Sequence, residues 1–215
     1  MLLNRTLSEI IATAIVALLA MTIHEFAHCY IAYRMGDNTP LENGKLTLNP
    51  LAHINWVGWL MWTFIGFGIL GQAYINPRRM RNPRLGELYA VAAGPISNLL
   101  LAVVLAIPFK LDLLQPDLLF TQRQLVPTLN QLFTMGVYLN ILFFLFNLLP
   151  LFPFDGWTIL VRLVPPEVGY QLEQHRQTSQ LIFFALLALS FLNIFDVFGL
   201  ILSQPSNFLL RMLLF

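Results

Sequence analysis

The sequence predicts an all-α polytopic membrane protein, one membrane-embedded domain over residues 1–215 with about four transmembrane helices and a re-entrant or β-hairpin membrane-associated region. Hydrophobic residues fill 57% of the 215 positions and charged residues only 11%, and mean hydropathy is +0.69. That is far too apolar for a soluble domain of this length. Four apolar runs reach the roughly 20 residues that a helix needs to cross about 30 Å of hydrocarbon. A fifth run, Trp56 to about Leu70, is short for a span and is interrupted by Gly58, Gly66 and Gly68, with Gly71 just beyond. It suits a segment that enters and leaves on one side, provided protein covers its open backbone groups.

The first span is expected from Thr6 and Ser8, both capping candidates, to Arg34, with Glu9 in capping-box spacing from Thr6 and Gly36 as the stop. This run is too long for a signal-peptide core and lacks a small-residue cleavage site, so it is expected to stay in the mature protein. From Gly36 to Asn55 the composition turns to Gly, Asn, Pro and Thr, and Lys45, Leu46, Thr47 and Leu48 alternate as in a short strand. Further spans are expected from about Gly86 to Pro108, Leu129 to Leu149 and Ser179 to Leu202. The third continues past a Pro-broken stretch to about Val164. If Trp56–Leu70 does not cross, eight of the twelve Lys and Arg face the cytoplasm, and Arg5, Lys110, Arg123 and Arg211 face outward. This agrees with the positive-inside rule. The net charge of +1, with no basic–aromatic interleaving, gives no nucleic-acid partner. Cys29 is the only cysteine, so no intrachain disulfide can form. No internal repeat and no linker to a second domain is visible.

Within the first apolar run the chain reads His24-Glu25-Phe26-Ala27-His28. On a helix, His24 and His28 project from one face a turn apart and can hold one zinc ion, while Glu25 can reach a water on that metal. The same five residues recur by chance on exposed helices, and a buried polar network is the plain alternative. Here, however, they lie in a membrane-length segment, where a charge near the centre is unfavourable by about 2.5–3.5 kcal/mol on insertion scales. His28 is about six residues from the basic end of the run, roughly 9 Å at 1.5 Å per residue, which places the metal beneath one membrane face.

A second constellation is Asn147-Leu148-Leu149-Pro150-Leu151-Phe152-Pro153-Phe154-Asp155-Gly156. Two prolines break the helix, and irregular backbone in a membrane persists only where protein or a wet cavity lines it. Asp155 can complete a two-His, one-carboxylate site with an open fourth position. Alternatively, it caps the helix that follows.

Together the two constellations resemble the site-2 protease family of intramembrane zinc metalloproteases, in particular its small bacterial-type members without a PDZ domain. Ala93-Gly94-Pro95-Ile96-Ser97-Asn98 resembles that family's Gly-Pro-x-x-Asn motif, and Leu48-Asn49-Pro50-Leu51-Ala52-His53-Ile54 its Asn-Pro-x-x-His stretch. The sequence departs from the family pattern at Asn55, where Asp is usual, and at Gly71-Gln72-Ala73-Tyr74-Ile75, where a Gly-Trp-Ala-Lys-Pro-like stretch is usual. Both departures flank the expected cleft and leave the zinc ligands untouched.

The resemblance implies Zn2+ held by His24, His28 and Asp155, Glu25 as the catalytic carboxylate, and hydrolysis of peptide bonds within or beside a transmembrane segment of a membrane-protein substrate. The charge distribution and the depth of His28 predict a multi-pass protein of the cell membrane with its active site near the cytoplasmic side. Asn98 and Asn147 are candidates for holding substrate backbone or an oxyanion, although buried amides also serve to join helices. His53 is a weaker candidate at the cleft, a loop histidine being more often solvated. Regulation by a PDZ domain within this chain is not expected. Two other readings stay open on sequence alone: a membrane metal-ion transporter, and a homologue that binds transmembrane segments without cutting them.

Overall fold

Thr6 starts the first helix as its spacing predicts. Its side chain accepts from the Glu9 backbone N–H at 3.1 Å, and α1 runs Leu7–Arg34 before Gly36, at φ +107°, turns the chain away. The computed structural model describes residues 5–66, 68–121, 124–192 and 194–215, so the expected outward Arg123 lies outside the described residues. The described part is mostly helical.

After α1 come two single-turn helices, α2 (Thr39–Glu42) and α3 (Pro50–His53). The strand expected at Lys45–Leu48 is not formed. Instead the Lys45 N–H donates to Pro40 O at 2.8 Å, the Thr47 hydroxyl accepts from Asn49 N at 3.2 Å, and Asn49 caps α3. Local Thr and Asn acceptors therefore fold the segment back on itself and outcompete an extended conformation that has no neighbouring strand to pair with.

The glycine-interrupted run becomes a helix followed by an extended return. Helix α4 (Trp56–Ile65) ends at Gly66, which is in the left-handed conformation at φ +78°. It runs antiparallel to α1: Trp59 Nε1 donates to Ala14 O at 3.0 Å and Arg5 Nη1 donates to Thr63 O at 2.8 Å. The return then closes on its origin, where Asn55 N donates to Leu70 O at 2.8 Å and Ile54 bridges Gly71 antiparallel. No β-strand is formed among the described residues, so the expected β-hairpin is reduced to this one bridge. The first arm is helical because Asn55 caps it through Gly58 N. The two arms pack backbone to backbone: a Cβ on Gly58 would lie 1.8 Å from Ile69 O, and one on Gly68 would lie 2.1 Å from Gly58 O.

A short 3-10 turn (Pro77–Arg79) leads to α5 (Pro83–Lys110), capped by Asn82, and a loop returns to α6 (Leu129–Asn147), capped by Thr128 and Gln131 in a full capping box. Past the prolines lie α7 (Asp155–Leu163) and α8 (Pro166–Gln174). The expected last span, Ser179–Leu202, is instead two helices, α9 (Arg176–Phe191) and α10 (Val197–Leu214). Asp196 divides them by capping α10 through Gly199 N at 2.9 Å while accepting from the Ser190 hydroxyl at 3.0 Å. Leu192, Ile194 and Phe195 keep the hydropathy high across the break and hide it from a window average.

Among the described residues four helices, α1, α5, α6 and α10, are long and apolar enough to cross a membrane, consistent with a multi-pass membrane protein. Helix α5 is antiparallel to both α1 and α6, since His24 faces Asn98 and His28 faces Ala90, while Asn98 faces Asn140 and Leu105 faces Gly136. Small residues line the helix contacts: Ala32 of α1 shares a buried cluster with Ala90 of α5, Ala102 and Ala106 of α5 share one with Val137 and Ile141 of α6, and Ala12, Ala17 and Ala20 of α1 share one with Met135, Leu139 and Phe143 of α6. Where lipid removes the hydrophobic drive between helices, such residues let backbones approach closely enough for dispersion to hold them.

The contact between Gly58 and Ile69 carries a prediction. Gly58→Ala puts a methyl group against a backbone oxygen that cannot rotate away, so the variant should lose about 1–3 kcal/mol of stability, read as a lowered thermal unfolding midpoint in detergent.

Candidate metal centre

His24 and His28 are both buried on α1, their rings edge to face with centroids 4.5 Å apart. Helix α5 fixes which nitrogen of each ring carries the proton. His28 Nδ1 is 2.8 Å from the Ala90 carbonyl, which can only accept, so Nδ1 donates. His24 Nδ1 is 2.6 Å from Asn98 Oδ1. The orientation of that amide is set by its other end, since Asn98 Nδ2 donates to Ala20 O at 3.3 Å and to Asn140 Oδ1 at 2.9 Å. Asn140 Nδ2 in turn donates to Gly136 O at 2.8 Å. The chain of donors is anchored on two carbonyls, so His24 Nδ1 also donates. Both Nε2 atoms therefore present lone pairs inward, 2.9 Å from each other.

The third acceptor comes from across the helix break. Asp155 Oδ2 lies 3.2 Å from His24 Nε2 and 3.3 Å from His28 Nε2. Asp155 does not cap α7: Phe154 holds the cap position and no side chain makes the capping bond. Asp155 Oδ2 has no hydrogen-bond partner. Three buried acceptor atoms converging on one point repel unless a cation or a proton lies between them. Tetrahedral zinc with bonds of about 2.0–2.1 Å sets its ligand atoms about 3.3 Å apart, and a catalytic site takes three N or O ligands and leaves a fourth position open. The observed separations and the two-nitrogen, one-oxygen donor set fit that ion. His24, His28 and Asp155 are the metal-competent cluster among the described residues.

Glycine makes the room. A Cβ on Gly94 of α5 would fall 2.3 Å from His28 Cε1 and Nε2 and 2.7 Å from His24 Nε2, inside the space the ligands need. A Cβ on Gly71 would fall 2.7 Å from Glu25 Cγ and Oε1, so the extended return passes directly against the Glu25 carboxylate. A Cβ on Gly156 would meet Leu148 O and Leu149 O at 2.4 Å, so only glycine lets α7 fold back on the end of α6 and bring Asp155 to the imidazoles.

A cavity of about 850 Å³ opens onto His24, Glu25, His28 and Asp155. Apolar side chains from α4, α6 and α9, among them Trp62, Phe143 and Phe183, form much of its wall, and Gln72 and Ala73 of the extended segment line it too. Glu25 Oε2 is buried and unpartnered within it.

The other sequence candidates lie in different places. Asn147 lines the cavity, with its Nδ2 donating to Phe143 O at 2.9 Å. Asn98 is wholly buried behind His24, and both ends of its amide are engaged. His53 is buried in the α3 turn with Nε2 against Thr47 O at 2.7 Å, outside the metal cluster, and burial holds its imidazole below the ordinary histidine range. Sequence reasoning assigned nothing to Ala90 or Asn140. A backbone carbonyl leaves no trace in residue type, but an Asn in the middle of the apolar α6 is a signal that could have found the second.

Among curated proteins, "Putative zinc metalloprotease YwhC" of Bacillus subtilis strain 168 is 37% identical over 172 residues, which cover 80% of this chain and 78% of YwhC. The chain belongs to the YwhC family. Two proteins named "Putative zinc metalloprotease Rip2" are similar as well: that of Mycolicibacterium smegmatis is 29% identical over 185 residues, and that of Mycobacterium tuberculosis H37Rv 30% identical over 183. The matched region spans 66% and 64% of those two Rip2 proteins, just under two thirds of their length. No protein-family model matches the chain, and no solved structure matches it. The names of these relatives specify zinc, and the geometry independently assembles a cluster that suits it.

The walls of this centre yield a paired prediction. Gly94→Ala should abolish stoichiometric zinc binding while α-helical content by circular dichroism is unchanged. Asn98→Ala should keep a site but weaken its zinc affinity by about 10–100-fold, since the imidazole loses the acceptor that orients it. Metal analysis and chelator competition on purified protein read both.

Proposed function

We propose that this protein is an intramembrane zinc metalloprotease of the site-2 protease kind, hydrolysing peptide bonds within or beside transmembrane segments of other membrane proteins. One observation carries the reading: an unpartnered Glu25 carboxylate lies in a mainly apolar-walled cavity beside three acceptor atoms that need a cation, within a chain built of membrane-length helices. His24 Nε2, His28 Nε2 and Asp155 Oδ2 would hold zinc, which when bound supplies a Lewis acid that acidifies water and polarises a peptide carbonyl. The relatives' names favour hydrolysis over ion transport.

The residues of the chain divide the remaining work. Glu25 Oε2 takes a proton from the attacking water and delivers it to the amine nitrogen as the C–N bond breaks. The segment Gly71–Ile75 holds substrate. It is pinned at one end by the Ile54–Gly71 bridge and at the other by Asn76 N donating to the buried Asp37 Oδ2 at 2.5 Å. An unwound substrate can add to this segment as a strand, a mode that reads backbone more than side chains. Asn147, which also lines the cavity, offers an amide to the substrate carbonyl. The orientation inferred from charge puts Arg34, Lys45 and the cluster Arg78, Arg79, Arg81 and Arg84 on the cytoplasmic side, where α1 ends, so the site lies beneath that face. In this orientation α4 and its return dip into the membrane from the cytoplasmic side without crossing.

Two experiments test these readings. Glu25→Gln should retain zinc and the fold but lose cleavage of a reporter transmembrane substrate, and turnover near wild type would remove Glu25 from its role. In a Cys29→Ala background, Asn82→Cys should resist a membrane-impermeant thiol reagent added from outside, and strong labelling would mean that the Trp56–Leu70 run crosses.

A further inference from the structure

The basic cluster that orients the chain contains one arginine with a different engagement. Arg84, in the first turn of α5, donates through Nε to Arg162 O at 2.9 Å and through Nη2 to Val164 O at 2.5 Å. Those carbonyls belong to the last turn and C-cap of α7. A planar guanidinium thus bonds the carbonyl end of that helix dipole at two points. The engagement is returned: Arg162 of α7 donates through Nε to Glu87, one turn along α5 from Arg84. Two helices are cross-braced by three residues.

We propose that Arg84, Glu87 and Arg162 are positioning residues that set the height of Asp155 against the two imidazoles. This rests on the metal reading of the site. Helix α7 has nine residues and no side-chain cap at its first turn, where Asp155 stands, so little within the helix itself fixes its position. Its opposite end is tied to α5. Asp155 and Arg162 are seven residues apart, about 10.5 Å along a rigid rod. Helix α5 is also the element that orients the imidazoles, through Ala90 O on His28 and Asn98 on His24. Glu87 and Ala90 are three residues apart, so one helix carries the ties to all three ligands. If the brace slips, the carboxylate shifts relative to the His pair, and a metal site tolerates little displacement of a ligand.

Zinc binding to the full-length protein in detergent tests the brace by chelator competition, with cobalt absorbance as the record of coordination geometry. Arg84→Gln should weaken zinc affinity by roughly tenfold, the low end for groups that orient ligands, without changing helical content or the unfolding midpoint of the metal-free protein. The deciding measurement repeats the substitution in an Asp155→Ala background, where the third ligand is gone and Arg84→Gln should have no further effect on zinc affinity. Wild-type affinity in Arg84→Gln, or an equal loss in both backgrounds, overturns the proposal. If Arg84→Gln does not fold, Glu87→Ala leaves the guanidinium fork of Arg84 intact, removes only the return pair with Arg162, and carries the same cycle with the same two readings. A wild-type protein that takes up no zinc would overturn the metal reading itself, a result distinct from zinc uptake that is indifferent to the brace.

Discussion

Three lone pairs converging in a buried place are the constraint on which the rest of this structure depends. Two imidazole nitrogens and a carboxylate oxygen within 3.3 Å of one another form a repulsive arrangement unless a cation or a proton lies between them. It exists because α5 takes the proton-bearing side of each ring, leaving the other side no choice of tautomer. The polar chain from Gly136 through Asn140 and Asn98 to His24 costs little in this interior because each member has a partner. Removing one link would leave a buried group unpaired, which is more costly than never having had it.

Around that point the chain solves a packing problem with glycine. Gly94 lets α5 pass the ligands, Gly71 lets the extended segment touch Glu25, and Gly156 lets α7 fold back across the end of α6. Each marks a place where backbone meets either the site or other backbone more closely than a methyl group would permit. The Pro150–Pro153 break serves the same end, since a continuous α6 would carry Asp155 away along its own axis.

The hollow that results is walled mainly by apolar groups and floored by ionisable ones. Trp62, Phe143 and Phe183 come from three different helices, and the two-armed excursion of α4 and its return closes one side. That excursion is secured at both ends, by Arg5 on Thr63 O and by Asn55 on Leu70 O, so the glycine-rich arm is held against the site.

How much of this was legible in the chain follows from which interactions are local. Helix spacing alone put His24, Glu25 and His28 on one turn, the Thr6 cap began its helix at the sequence signal, and two prolines announced the break before Asp155. Those features depend on neighbours within a few residues. Lys45–Leu48 was misread as strand because Thr47 and Asn49 offered the backbone closer partners, and Ser179–Leu202 was misread as one span because Asp196 caps a new helix inside an unbroken apolar stretch. The tautomers, the room made by Gly94, the burial of Asn98 behind His24 and the grip of Arg84 on α7 were decided only in three dimensions. Each joins residues more than sixty positions apart through a carbonyl, a missing methyl or a guanidinium whose partner no residue type discloses.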